Sequence, residues 1–96
     1  LEKAKLFNYD VRYFLNKNNK KKFHIFFFDP PFIDKEFINN LDSIKKNKLF
    51  EKNHIIIIHR EKKSEDNFDK IINIIDVKFY GRSKIIFGTF KINSLL

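Results

Sequence analysis

Apolar residues in this chain come in short blocks, and the spacing within each block differs. Residues 23–28 (Phe-His-Ile-Phe-Phe-Phe) form an almost unbroken aromatic and aliphatic run, as does the tetrad Ile55-Ile56-Ile57-Ile58. Runs this short without polar alternation suit strands buried on both faces, as in a parallel sheet. The spacing of Phe37, Ile38, Leu41, Ile44 and Leu49 instead follows a helical stripe, with Lys35, Lys45, Lys46 and Lys48 largely outside it. It predicts a helix capped by Asp34 and running to about Phe50. Phe68, Ile71, Ile72 and Ile75 repeat that spacing and predict a second helix over residues 66–76. Residues 77–80 and 84–90 read as two strands joined by Gly81-Arg82-Ser83, a tight-turn composition that makes them an antiparallel hairpin. Upstream, residues 4–9 predict a short strand ending at Asp10, which caps a short helix bearing Val11, Phe14 and Leu15 on one face. Residues 16–22 and 59–65 are charged loops.

Strands that alternate with helices imply right-handed crossovers and an α/β fold with a mostly parallel sheet, closed by an antiparallel C-terminal hairpin strand. At 96 residues the chain reads as a single unit. A chain of this size buries only about 60–68% of the surface its unfolded form exposes, so the core is modest. Its opening, Leu1-Glu2-Lys3-Ala4 without an initiator Met, reads as part of a longer protein.

Composition changes the picture only at two points. The absence of cysteine removes disulfides and thiolate metal sites, and no apolar run approaches the roughly 20 residues of a membrane span. A cytoplasmic protein without a membrane partner is the expectation. The net charge of +8 and pI near 9.7 invite a nucleic-acid partner. The charge is nearly all Lys, however, and Ile, Asn and Phe are abundant too, a profile that an AT-rich coding sequence gives whatever the function.

The chemistry gathers at Asp29-Pro30-Pro31-Phe32, directly after the first buried run. In open α/β sheets ligands bind outside the carboxyl ends of the strands. Proline ends the ladder, stiffens the loop and leaves the Pro30 carbonyl without local pairing. That carbonyl and the Asp29 carboxylate make two acceptors with little freedom, enough to take both hydrogens of an aromatic –NH2. Phe32 adds a flat apolar face on which a base can stack. Reaching a base in this way requires taking it out of its own stack. A stiff capping turn is the plainer reading of the same tetrapeptide.

The run from Phe23 to Phe32 resembles motif IV of the amino-methyltransferases, the Asp/Asn-Pro-Pro-Tyr/Phe signature. The helix from Asp34, the Ile55–Ile58 strand with its His59-Arg60-Glu61 exit, and the stretch from Lys78 through Tyr80-Gly81-Arg82-Ser83 to Phe87 resemble the C-terminal half of the RsmD family. This resemblance implies a partial class I S-adenosyl-L-methionine-dependent methyltransferase sheet, Rossmann-like, with residues 1–96 as the C-terminal half of the domain. It implies an RNA methyltransferase that modifies a guanine exocyclic amine in small-subunit (16S) ribosomal RNA, with S-adenosyl-L-methionine as donor and no metal. Asp29, Pro30, Pro31 and Phe32 would hold the amine and base, and Asp10 would lie near the cofactor's adenine, unless it is a plain helix cap. Ribosomal RNA or the small ribosomal subunit is the implied partner, and the protein is expected to be a monomer. The family's glycine-rich cofactor loop precedes the part seen here, and Gly81 and Gly88 are the chain's only glycines. The 96 residues alone are therefore expected to be inactive.

Arg60, Lys62 and Lys63 leave a strand at its carboxyl end, and Arg82 sits in the hairpin turn on the same side, so these four are the candidate phosphate contacts. Lys20-Lys21-Lys22 enters a strand at its amino end, away from Asp29, and reads as a solvated turn. His24, His54 and His59 are scattered and predict no metal site. Two other functions fit the same residues: an adenine-N6 or other amino-methyltransferase with this tetrapeptide, and a basic α/β module that binds nucleic acid without chemistry.

Overall fold

The computed structural model describes residues 22–92 and the backbone of residues 3–5. Asp10, and the helix expected after it, lie outside the described residues. The described residues form five strands and one helix: β1 (Lys3–Lys5), β2 (Phe23–Phe28), α1 (Glu36–Lys46), β3 (Phe50–Glu61), β4 (Ile72–Tyr80) and β5 (Ser83–Phe90). They form one sheet in the order β1-β2-β3-β5-β4. β1, β2 and β3 are parallel neighbours, whereas β5 runs antiparallel to both β3 and β4. This is the α/β, partly parallel arrangement expected, with the antiparallel strand inserted between two strands rather than added at the edge.

One face of the sheet carries the core. Phe26 and Phe28 of β2, Ile56 and Ile58 of β3, and Ile86 and Phe90 of β5 are buried beneath Phe37, Leu41 and Ile44 of α1. The alternating residues, Ile25, Phe27, Ile55, Ile57, Ile85 and Phe87, point to the other face and are half-buried. The period of two along each strand therefore assigns every side chain to one face or the other.

The helix is shorter than its apolar spacing implies, and its end explains why. Lys48 adopts φ 52°, the left-handed region. Its amide donates to the Lys45 carbonyl at 3.1 Å, and the Leu49 amide donates to the Ile44 carbonyl at 3.2 Å. These two bonds close a Schellman motif, with buried Leu49 and Ile44 as its apolar partners. A glycine would have announced this stop; a lysine did not. At the other end Asp34 lies one residue before the helix cap, Lys35, and its carboxylate accepts the Glu36 amide at 2.7 Å.

The helix expected over residues 66–76 is not formed. Residues 62–71 descend the α1 face as an irregular crossover, and the chain then pairs with β5 as β4. Ile74 pairs with Gly88 and Asp76 with Phe87, so Ile75 is an extra residue that shifts the phase of the strand. Phe68, Ile71 and Ile72 are buried as the stripe implies, but Ile75 at the bulge is exposed, and the Ile residues favour the strand. Gly88 is required opposite this bulge, because a Cβ there would meet the Asn73 carbonyl oxygen at 2.7 Å. The hairpin turn is as expected: Gly81 occupies its first central position with φ 54°.

At the amino end of the site-bearing strands, His54 is packed against Phe50, Phe90 and Phe26, with ring centroids 4.7, 5.4 and 6.4 Å away. Its Nε2 accepts the Phe90 amide at 2.9 Å, so the hydrogen sits on Nδ1, which donates to the Glu51 carbonyl at 2.8 Å. Burial lowers the His54 pKa from its ordinary 6.5, more than the Glu51 and Lys52 carbonyls raise it. The unfolded chain thus takes up this proton more readily than the folded one. The stability His54 contributes is complete above about pH 6.5 and is lost progressively as the pH falls towards the lower folded value. Urea midpoints measured between pH 7.5 and 5 should fall, and His54→Gln should remove that share of the fall; equal slopes in both proteins would contradict this account.

Candidate active site

Where β2 ends, its register with β3 decides what surrounds the loop. Phe28 is opposite Ile58, so the next pair along the two parallel strands is Asp29 and His59. Both have odd numbers and face away from α1, like Phe27 and Ile57. His59 Nδ1 lies 2.9 Å from Asp29 Oδ1. A carboxylate only accepts, so the imidazole donates from Nδ1 and leaves Oδ2 available. The Asp29 side chain is 47% exposed and His59 28%. Phe32 presents its ring edge-on to His59 with centroids 6.1 Å apart. Asp29, Pro30, Pro31, Phe32 and His59 together line an open depression of about 310 Å³. Among the described residues no donor bonds the Pro30 carbonyl, whereas the Pro31 carbonyl accepts the Asp34 amide at 2.9 Å.

The structure corrects the reading of Arg60. It is fully buried and contacts no solvent, so it is not a phosphate ligand. Because β3 continues to Glu61 instead of ending at Ile58, the alternation carries Arg60 onto the core face behind Ile56 and Ile58. Its guanidinium donates to the Pro31 carbonyl at 3.2 Å and to the Phe32 carbonyl at 3.0 Å. It also binds the Asp66 carboxylate through Nε at 2.8 Å and Nη2 at 3.3 Å, and stacks 4.6 Å from the Phe37 ring centroid. Lys35 reaches the same carboxylate at 2.7 Å from the exposed side. Burial by itself would raise the Asp66 carboxyl; hydrogen bonds from Arg60 and Lys35, with their charges, outweigh it and hold the group below the usual carboxylate range. The loop after β2 is therefore fixed from below by a buried cation that also clasps the crossover.

The other candidate cations lie where they were expected. Lys62, Lys63 and Arg82 are exposed in the two turns beyond β3 and β4, at the same end of the sheet as Asp29. The turns are joined by a 2.6 Å bond from the Lys62 amide to the Arg82 carbonyl. Lys63 lies 3.6 Å from Glu61. His59 is the residue that sequence reasoning missed. A strand assumed to end at Ile58 gave no reason to place it beside Asp29.

Among the described residues no cluster of His, Cys, Asp or Glu could hold a metal ion, and no helix is long and apolar enough to cross a membrane. Asp10, the one residue expected near the cofactor, lies outside the described residues.

Comparison with known proteins bears on the family and the fold. Residues 1–89 match the family described as Conserved hypothetical protein 95. No curated protein matches the chain. Three solved structures share the fold. A conserved hypothetical protein of Streptococcus pyogenes is 19% identical, with a TM-score of 0.63 over 71% of this chain and 43% of that one. A proposed methylase of Haemophilus influenzae is 20% identical, with a TM-score of 0.66 over 84% and 51%. A proposed methyltransferase of Escherichia coli is 13% identical, with a TM-score of 0.61 over 96% and 64%. The chain thus spans between 43% and 64% of the length of these relatives.

Proposed function

The chain belongs to the Conserved hypothetical protein 95 family, which is RsmD-like, and from that premise we propose that it forms the amine-holding half of a methyltransferase acting on a guanine exocyclic amine in small-subunit ribosomal RNA. The observation that carries this reading is the pair of unspent acceptors at the tip of β2. Asp29 Oδ2 and the Pro30 carbonyl, unbonded among the described residues, belong to residues that line one open depression with Phe32. Two acceptors so placed take the two hydrogens of an aromatic amine and fix the direction of its nitrogen lone pair. His59 restrains the carboxylate through Oδ1, so that its second oxygen does the holding. Phe32 offers a stacking face to the extruded base. Arg60 keeps the Pro31 and Phe32 carbonyls from shifting, which matters because misplacement by about 1 Å costs on the order of 10²-fold in rate. S-adenosyl-L-methionine, the donor the family implies, supplies an electrophilic methyl group. Residues outside the described part, Asp10 among them, would hold it.

The test uses the complete gene product that carries these residues, labelled donor, and small-subunit ribosomal RNA from cells lacking the enzyme. Label recovered as N2-methylguanine is the expected result. Label on adenine, or on protein alone, would replace this reading with another amino-methyltransferase; no label on any substrate would leave a binding module.

A further inference from the structure

The structure places a second depression on the α1 face, across Arg60 from the Asp29 loop. It lies between the crossover and the β4–β5 hairpin and encloses about 240 Å³. Its floor is Phe68, Val77 and Ile86, and its outer walls are Ile74 and Phe79. The register explains the grouping: Val77 pairs with Ile86 and Phe79 with Lys84, so these side chains share one face. Phe79 is 58% exposed and Ile74 51%, an unusual cost for large apolar residues on an edge strand. Lys62 holds its ammonium 5.9 Å from the Phe79 ring centroid, and Lys84 is engaged with the Ser64 carbonyl at 2.7 Å. Lys63 and Arg82 stand exposed in the neighbouring turns, against Glu65 as the exposed acid at the rim. Asp66, which also lines this depression, is neutralised by Arg60 and Lys35.

We propose that this depression is a slot for one unpaired RNA base near the target nucleotide, stacked on Phe79, with its backbone phosphates carried by Lys62, Lys63 and Arg82. The inference rests on the function proposed above and adds to it a subsite for substrate recognition. A flat ring with an anionic tether fits all three features together: an apolar wall bearing an exposed aromatic, a volume below the ~300–1,000 Å³ of whole small-molecule sites, and cations at the mouth. The position fits as well. Arg60 bonds the Phe32 carbonyl on one side and Asp66 on the other, so the two depressions flank one guanidinium. The basic turns lie at the end of the sheet where a strand of RNA would cross from one to the other.

The experiment measures binding of an unpaired oligoribonucleotide by fluorescence anisotropy, and methylation kinetics, in the complete gene product. Stacking on an aromatic side chain is worth roughly 5- to 150-fold in affinity per base. Phe79→Ala should lose that factor and raise KM for RNA with kcat little changed; Phe79→Tyr should retain binding, and Phe79→Leu should not. Lys62→Ala should reduce the slope of log affinity against log salt by about one. The unfolding midpoint of each exposed-site variant should match the parent, which separates lost contact from lost fold. Unchanged binding by Phe79→Ala in an enzyme that methylates RNA would overturn the slot and leave the proposed function standing. Full binding by Phe79→Leu would overturn it in favour of an apolar docking surface for a protein segment. Oligoribonucleotide binding that depends on Phe79, in a protein that methylates no RNA, would keep the slot and overturn the function.

Discussion

Asp29→Ala in the complete protein is expected to lower methyl transfer by on the order of 10²–10³-fold, with the fold intact. The effect is confined to function because the Asp29 side chain is half-exposed and its one described partner is His59. An exposed pair of this kind contributes at most about 1 kcal/mol to stability. What the substitution removes is an anionic acceptor aimed at the amine, one of two that orient its lone pair. Asn in place of Asp keeps an oxygen but loses the charge, so Asp29→Asn should retain more activity than the alanine variant and less than the parent. Donor affinity, measured by calorimetry, should be the same in all three. The proposal for this loop fails if Asp29→Ala methylates RNA within threefold of the parent, or if its loss of activity is matched by a loss of folded protein.

Arg60→Ala is expected to act in the opposite manner, on stability first. It removes a buried cation that satisfies the Asp66 carboxylate and two loop carbonyls at once, and leaves a carboxylate side chain only 1% exposed with Lys35 as its remaining ionic partner. Breaking a buried pair from one side costs about 3–5 kcal/mol. Against a native stability of about 5–15 kcal/mol, that is a large fraction, read as a lower denaturant midpoint with an unchanged slope. The pH dependence supplies a signature. In the parent, the Asp66 carboxyl is held below its ordinary 3.8, so the pair contributes stability above that value and loses it as the pH falls through the lower folded value. Without Arg60, only Lys35 opposes the burial that raises the carboxyl, so it takes up a proton more readily than in the parent. The deficit of Arg60→Ala should therefore be largest near neutrality and shrink in acid. A deficit independent of pH would show that Asp66 is not the group left uncompensated. Arg60→Met restores apolar volume against Phe37 but not the hydrogen bonds, and should recover only part of the loss.

These two neighbours in function, separated by 31 positions in sequence, differ in how readable they were. Asp29 was legible because its signal is local: a run of buried apolar residues, then two prolines that stop any ladder, leaves an acid at a strand tip whatever the rest of the chain does. The hairpin at Gly81 was legible for the same reason, since a positive φ between two strand-like blocks asks for glycine. The parallel start of the sheet followed from the apolar runs at residues 23–28 and 55–58, which have no polar face to give to water.

Most of what escaped was decided by partners distant in sequence. β4 took a strand conformation because β5 offered it a ladder and Gly88 made room for a bulge, which leaves Ile75 exposed instead of on the stripe with Phe68, Ile71 and Ile72. The helix α1 stopped at Lys46 because a lysine accepted a backbone conformation that usually belongs to glycine. Arg60 and His59 were set by the length of β3. Three more residues in that strand, to Glu61, turned a presumed phosphate contact into a buried brace and a scattered histidine into the neighbour of Asp29. The chain by itself specifies the end of β2 and the turn at Gly81, because proline and glycine act within a few residues. Only the tertiary structure assigns side chains to faces, because register is fixed by the strand alongside, and a shift of one residue sends each of them to the opposite side.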